Sequence, residues 1–261
     1  MSNILTNLPT KKLVPTKKVL NVPIAALSLA EQMQVILDWA SSSKSKMVCV
    51  ANVHMLMEAH WKPQFARVLA DADLRTPDGM PLVWMMQLLG VVRQERVAGM
   101  DVFQALCQKA QRKDISVFFV GSEPQILERI RDRVHREFPN LHIAGMAPLP
   151  FKPLPITVDQ DLVQTINNSG AKLVFVSLGC PKQEYWMHEH RGKIKAVMIG
   201  LGGVFPIYAG LQTRAPSWMR WAGLEWVYRL FQEPKRLWWR YFKTIPPFLW
   251  LASQQLIGFP K

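Results

Sequence analysis

One carboxylate stands out by its setting. Asp78, in Thr76-Pro77-Asp78-Gly79, follows a short strand-like step and precedes an apolar helical stretch, which places it at the rim of a sheet. There it is either an N-cap or Asx-turn residue or a general base. A carboxylate in a partly desolvated cleft gains basicity and can take a hydroxyl proton. Four further segments have the make-up of phosphate-facing strand ends: Asn52-Val53-His54, Gly121-Ser122-Glu123-Pro124, Gly179-Cys180-Pro181-Lys182-Gln183-Glu184 and Gly200-Leu201-Gly202-Gly203. A glycine between strand and helix lets a phosphate approach the backbone, and the helix N-terminus favours the anion. Each segment alone reads equally as a turn; four in one chain point to a nucleotide pocket.

Other chemistries fit less well. No Gly-x-Gly-x-x-Gly opens the first strand–helix unit and no Walker loop occurs, which disfavours hydride transfer. Asp71-Ala72-Asp73 has the spacing of a metal-holding pair but lies at a helix end, so no metal and no cofactor are expected. The three cysteines, Cys49, Cys107 and Cys180, have no pairing or zinc-like spacing. Cys49 and Cys107 read as core residues, in keeping with a reducing cytoplasm.

The elements that must position these residues follow from hydrophobic pattern. Met47–Ala51, Ile115–Val120, Lys172–Leu178 and Ala196–Gly200 are apolar on both faces, as parallel strands covered on both sides are. Helical patterns fall near 28–42, 54–70, 80–90, 100–113, 123–138, 157–169 and 182–191. The alternation predicts an α/β fold, a Rossmann-like doubly wound and mostly parallel sheet. The four prolines between 147 and 156 predict a loop. Three regions are expected: a flexible basic tail over 1–18, the core over 19–213, and a helical appendage over 214–261.

The appendage carries an unusual composition. The chain has 32 Lys and Arg against 19 Asp and Glu, a net +13 that calls for a polyanionic partner. Seven basic residues against two acids lie between Arg214 and Lys243, and six of the ten tryptophans lie between Trp218 and Trp250. The apolar run near the C-terminus is interrupted by Pro246-Pro247 and Gln254-Gln255, and falls short of the ~20 apolar residues of a spanning helix. Prolines at 216, 234, 246 and 247 are expected to start or break helices. Aromatics beside Arg and Lys suit an interfacial helix on an anionic membrane surface, or else cover the core or the interface of a homo-oligomer. A nucleic-acid-binding module would also be basic, but the charge sits beside a Trp-rich apolar stretch and no RNA-binding signature is present. No nucleic acid is expected.

Several blocks together resemble the WecG/TagA/CpsF glycosyltransferases (glycosyltransferase family 26). They are Thr76-Pro77-Asp78-Gly79, Arg96-Val97-Ala98-Gly99-Met100-Asp101, Gly179-Cys180-Pro181-Lys182-Gln183-Glu184, and the run from Arg214-Ala215-Pro216-Ser217-Trp218-Met219-Arg220 through Gly223-Leu224-Glu225-Trp226, Tyr228-Arg229-Leu230 and Glu233-Pro234-Lys235-Arg236. The resemblance implies a Rossmann-like core whose C-terminal appendage docks on the membrane and lends arginines to the site. It implies inverting, metal-independent transfer from a UDP-sugar to a polyprenyl-diphosphate-linked sugar acceptor in polysaccharide biosynthesis, peripherally at the cytoplasmic face of the inner membrane. By it, Asp78 is the general base, Asn52 and Gln183 line the sugar-nucleotide pocket, and Arg96 is a basic residue beside that pocket with a catalytic part. Gly121, Gly179 and Gly202 join them as strand-end contacts, and Arg214, Arg220, Arg229 and Arg236 as candidates to hold the diphosphate. Three positions depart from the family's habit: Val50 and Ala98 where threonine is frequent, and Pro206 in place of aspartate. A catalytically dead scaffold of the same fold is the alternative those departures leave open.

Overall fold

A computed structural model describes residues 14–149 and 157–258. The described chain enters as a hairpin of β1 (Thr16–Val19) and β2 (Val22–Ala25), paired antiparallel. Residues 16–18 therefore leave the expected flexible tail. Their backbone is held in a ladder, and the Leu20-Asn21 turn that closes it takes positive φ at both residues, as a type I′ hairpin turn requires.

Six strands form the main sheet: β3 (Lys46–Ala51), β4 (Leu74–Pro77), β5 (Val117–Gly121), β6 (Ile143–Ala147), β7 (Leu173–Ser177) and β8 (Val197–Gly200). Their order is β4-β3-β8-β7-β5-β6 and every pairing is parallel. Side chains alternate between two cores, as a pleated strand demands. Met47, Cys49 and Ala51 of β3 enter one core, and Val48 and Val50 the other. The first core holds helices α2 (Val53–Trp61), α3 (Pro63–Ala70), α4 (Met80–Leu88), α7 (Gln160–Asn168) and α8 (Lys182–His190). The second holds α1 (Leu29–Ser41), α5 (Gly99–Arg112), α6 (Pro124–Glu137) and α9 (Val204–Tyr208). This is the expected doubly wound architecture.

The helix expected over 54–70 is two helices. Pro63 has no N–H to bond and its ring would strike the carbonyl four residues back, so the chain restarts there with proline in the first turn. The proline loop after β6 falls mainly at 150–156, outside the described residues.

The appendage folds as α10 (Ser217–Trp221), α11 (Glu225–Gln232) and α12 (Pro234–Ile257). α12 runs unbroken through Pro246 and Pro247, contrary to the expected break. The carbonyls that lose a donor belong to the exposed residues Phe242 and Lys243, where water can reach them. Packing just beyond holds the helix: Phe248 and Ala252 are buried in the first core beside α2. Gln255 then bonds the hairpin twice, accepting from Leu20 N at 2.9 Å and donating to Lys18 O at 2.9 Å. The second half of α12 is thus seated on α2 and the hairpin.

Candidate active site

In a parallel sheet whose strand order reverses, the crevice lies beyond the carboxyl ends of the central strands. Here those ends belong to β4, β3, β8 and β7. Asp78 follows β4, and its N–H donates to Ala51 O at the end of β3 at 2.9 Å. The N-cap of α4 is Gly79, and no side chain caps that helix, so Asp78 is not spent as its cap. Its carboxylate instead faces the N-terminus of α5, near the Gly99 N–H. Arg96 donates from Nε to the Asp78 carbonyl and from Nη2 to Asp78 Oδ1 at 3.4 Å. The same Nη2 lies 2.7 Å from Glu225 Oε2 on α11. Burial raises the Asp78 pKa and Arg96 opposes it; Glu225 raises it further, while Arg229 and the Gly99 N–H lower it. The outcome is a carboxyl above its ordinary range, with 25% of its side chain exposed.

Two cavities meet at Asp78. The first, of about 120 Å³, is lined by the strand-end residues Asn52, Gly179, Gln183 and Gly200–Gly203, by Arg96 and Glu225, and by Arg214, Arg229, Arg236 and Arg240 from the appendage. The second, of about 270 Å³, is apolar. Met80, Pro81 and Trp84 of α4 face Trp226, Ile245, Phe248 and Leu249 across it, with His54 in its wall. Asn52, Asp78, Arg96, Glu225, Arg229 and Arg240 line both.

Local chemistry fixes the first cavity's walls. Asn52 caps α2 through its side-chain oxygen, accepting from Met55 N at 3.2 Å. Gln183 Nε2 donates to Glu184 Oε1 at 2.7 Å, which turns its Oε1, with no protein partner, toward Gly202. Burial pushes the Glu184 carboxyl up to about 7, against hydrogen bonds from Gln183 and the Cys180 thiol. Arg229 lies over Gly203, where a Cβ would stand 3.0 Å from its Nη2. Burial also lowers the Arg240 pKa, and repulsion from Arg229 and Arg236 adds to the lowering. Three clustered guanidinium groups facing glycine backbone make a site for an anion with several oxygens. Arg214 donates to Asp101 Oδ1 at 2.5 Å, tying the start of the appendage to α5. The α10–α11 turn rests on the core at Gly223, whose φ is +73 and whose Cβ would stand 2.6 Å from Trp84. His54 is neutral: burial, then the charge of Arg240, drives its pKa to about 3.

The chain matches the Glycosyl transferase WecG/TagA/CpsF family over residues 17–261. It belongs to that family. A relative from Bacillus spizizenii is 35% identical over 212 residues, covering 81% of this chain and 80% of its own length. One from Bacillus subtilis is 37% identical over 183 residues, covering 69% and 68%. Both are named N-acetylglucosaminyldiphosphoundecaprenol N-acetyl-beta-D-mannosaminyltransferase. The chain is a glycosyltransferase.

Of the residues singled out from sequence, Asn52, Asp78, Arg96, Gly179, Gln183, Gly202, Arg214, Arg229 and Arg236 of this glycosyltransferase come together around the first cavity. Gly121 and Arg220 do not line it. Gly121 ends β5, three places from β3 in the sheet, or ~14 Å away at ordinary strand spacing. Its glycine serves packing, since a Cβ there would stand 2.6 Å from Ser177 O. Arg220 sits on α10 away from both cavities. Asp73 pairs with Lys46 at 2.6 Å and Arg191 at 3.0 Å, and Asp71 with His188 at 3.0 Å. Two of the three departures, Val50 and Ala98, line the first cavity, whereas Pro206 does not. Sequence reasoning missed Arg240 and Glu225. Arg240 had a signal: it lies four residues after Arg236, on the same helical face.

Proposed function

We propose that this glycosyltransferase transfers a sugar, with inversion, from a UDP-sugar to a sugar carried on a polyprenyl diphosphate. The observation that carries the reading is the position of Asp78 where an arginine- and glycine-lined cavity meets an apolar, aromatic one. The donor diphosphate lies in the first, against Arg214, Arg229, Arg236 and Arg240. The acceptor sugar enters through the second, its lipid leaving past Trp84 and Leu249. Asp78 takes the proton of the acceptor hydroxyl as its oxygen bonds to the anomeric carbon. The bond from that carbon to the diphosphate oxygen breaks on the opposite face, and UDP departs. The guanidinium groups stabilise the negative charge that develops on it, while Arg96 holds the backbone of Asp78 in place.

The relatives' names make N-acetylmannosamine the first donor to test, with N-acetylglucosaminyl diphospholipid as acceptor. Val50 and Ala98 leave two cavity positions without a hydroxyl, a reason to test other UDP-hexoses and hexuronic acids beside it. Among the described residues no helix is long and apolar enough to cross a membrane. The appendage exposes Trp218, Trp221, Phe231, Trp238, Trp239 and Trp250, interleaved with Arg and Lys. Such a surface suits peripheral binding to anionic lipid, at ~1 kcal/mol for each cation near it, on the cytoplasmic face where nucleotide sugars are made.

The test is a panel of UDP-sugars assayed for UDP release with a synthetic lipid-diphosphate sugar. Release that requires the acceptor, persists with chelator and collapses in folded Asp78→Ala supports the reading. Undiminished release by Asp78→Ala removes Asp78 as the base.

A further inference from the structure

Arg96 is shared between two carboxylates from different parts of the fold. Its Nε is committed to the Asp78 carbonyl, leaving Nη2 as the group that reaches both acids. That nitrogen stands 2.7 Å from Glu225 Oε2 and 3.4 Å from Asp78 Oδ1. Glu225 belongs to the first turn of α11, in the appendage, and lines both cavities. From this geometry we infer that Glu225 is a positioning residue which keeps Arg96 from fully pairing with Asp78, so that the base gains its working basicity when the appendage is seated. The inference rests on Asp78 being the base.

The two carboxylates compete for one cation. A carboxylate gripped closely by a guanidinium is held ionised and becomes a poor proton acceptor. An acid that draws the guanidinium 0.7 Å nearer to itself than to Asp78 relaxes that grip, and its own negative charge disfavours ionisation of Asp78 further. Both effects act in one direction, and Glu225 is the group whose charge raises the Asp78 pKa. The other groups facing Asp78 work against it: Arg96, Arg229 one turn along α11 from Glu225, and the Gly99 N–H at the start of α5. Arg240 from α12 lines the same two cavities. One face of α11 therefore carries both signs toward the base, at Glu225 and Arg229. A general base works best with its pKa near the operating pH, and Glu225 moves Asp78 that way. An appendage that merely supplied arginines would move it the other way.

The experiment compares pH profiles of kcat and of donor KM for the full chain, Glu225→Gln, Glu225→Asp and Asp78→Ala, assayed by UDP release. Glu225→Gln keeps the shape and removes the charge, so Arg96 turns to Asp78. The expected result is a kcat lowered ~2- to 3-fold at the plateau and an acid limb moved to lower pH by about half a unit to one unit. Donor KM stays within about twofold, and Glu225→Asp recovers part of both changes. An acid limb that stays at its wild-type pH in Glu225→Gln, whatever happens to kcat or KM, overturns the inference and leaves Glu225 a packing residue. Should Glu225→Gln fail to fold, the same shift in Glu225→Asp, smaller in size, decides. Full activity in Asp78→Ala sinks the base assignment itself, and this inference with it.

Discussion

The rim of the sheet and the C-terminal appendage build one site by different means. At the rim, position comes from the backbone: Asp78 is held by a ladder-like bond to β3, Asn52 by its cap, and Gln183 by the start of α8. In the appendage, α10 and α11 have no buried residue at all. What reaches the cavity is charge at the end of long side chains, aimed by α12 seated on α2 and pinned through Gln255. In the proposed mechanism the rim supplies a base of fixed geometry, and the appendage supplies the field around it. A catalytic group that must meet a hydroxyl at hydrogen-bond distance needs the stiffer support. A cluster that must stabilise spread-out charge tolerates the looser one.

Removing the appendage is expected to have the largest effect. Deleting residues from 214 onward is expected to abolish UDP release and to free the protein from membranes, measured by activity and by sedimentation with anionic vesicles. A truncated protein that partitions like the full chain would end the docking role. A smaller change sharpens the contrast: Trp238→Glu with Trp250→Glu alters exposed side chains away from both cavities. Vesicle binding should fall ~10-fold or more, while turnover with a short, water-soluble acceptor persists. Equal loss of both would mean that these rings serve the site rather than the lipid.

The smallest effect probes the rim alone. Glu184 has its folded-state pKa raised to about 7, so burial of its neutral form stabilises the fold at low pH. That contribution is complete below the ordinary carboxyl range and is lost as pH rises toward 7. Between pH 5 and 8 the melting temperature of the native chain should therefore fall relative to that of Glu184→Gln, by roughly 3 to 8 °C. Parallel curves for the two proteins would show that Glu184 ionises freely.

How far these features were legible in the sequence follows the same division. The four central strands announce themselves because both faces are buried, and runs such as Val117–Gly121 are apolar throughout. β6 escaped because it is an edge strand, partly exposed along its length, and carries Gly145 where a Cβ would strike Phe118. The β1–β2 hairpin hid because Lys17 and Lys18, side by side in β1, leave that strand no apolar run. Asp78, Asn52 and Gln183 could be found since the carboxyl ends of parallel strands share one edge of the sheet, and theirs belong to or adjoin neighbouring strands. Gly121 looked equivalent to them because strand order, which sets it three places from β3, is a property of long-range pairing. The arginines were recognised as a group, but spacing along a helix does not say which of them face the cavity. That depends on how α12 lies on α2, so Arg220 was included and Arg240 passed over. Glu225 was invisible as a partner of Asp78, because its effect exists only once two distant segments meet at Arg96.

In the proposed mechanism the rim provides the proton acceptor and the appendage the grip on diphosphate. That division is tested most directly by measuring UDP affinity and turnover side by side in Asp78→Asn and in Arg229→Ala with Arg240→Ala. The first variant should bind UDP within about twofold of the native chain while losing ~10²–10⁴ in turnover, and the second should weaken UDP binding by ~10–100-fold. The claim is contradicted if Asp78→Asn turns over at the native rate, or if the arginine variant keeps native UDP affinity.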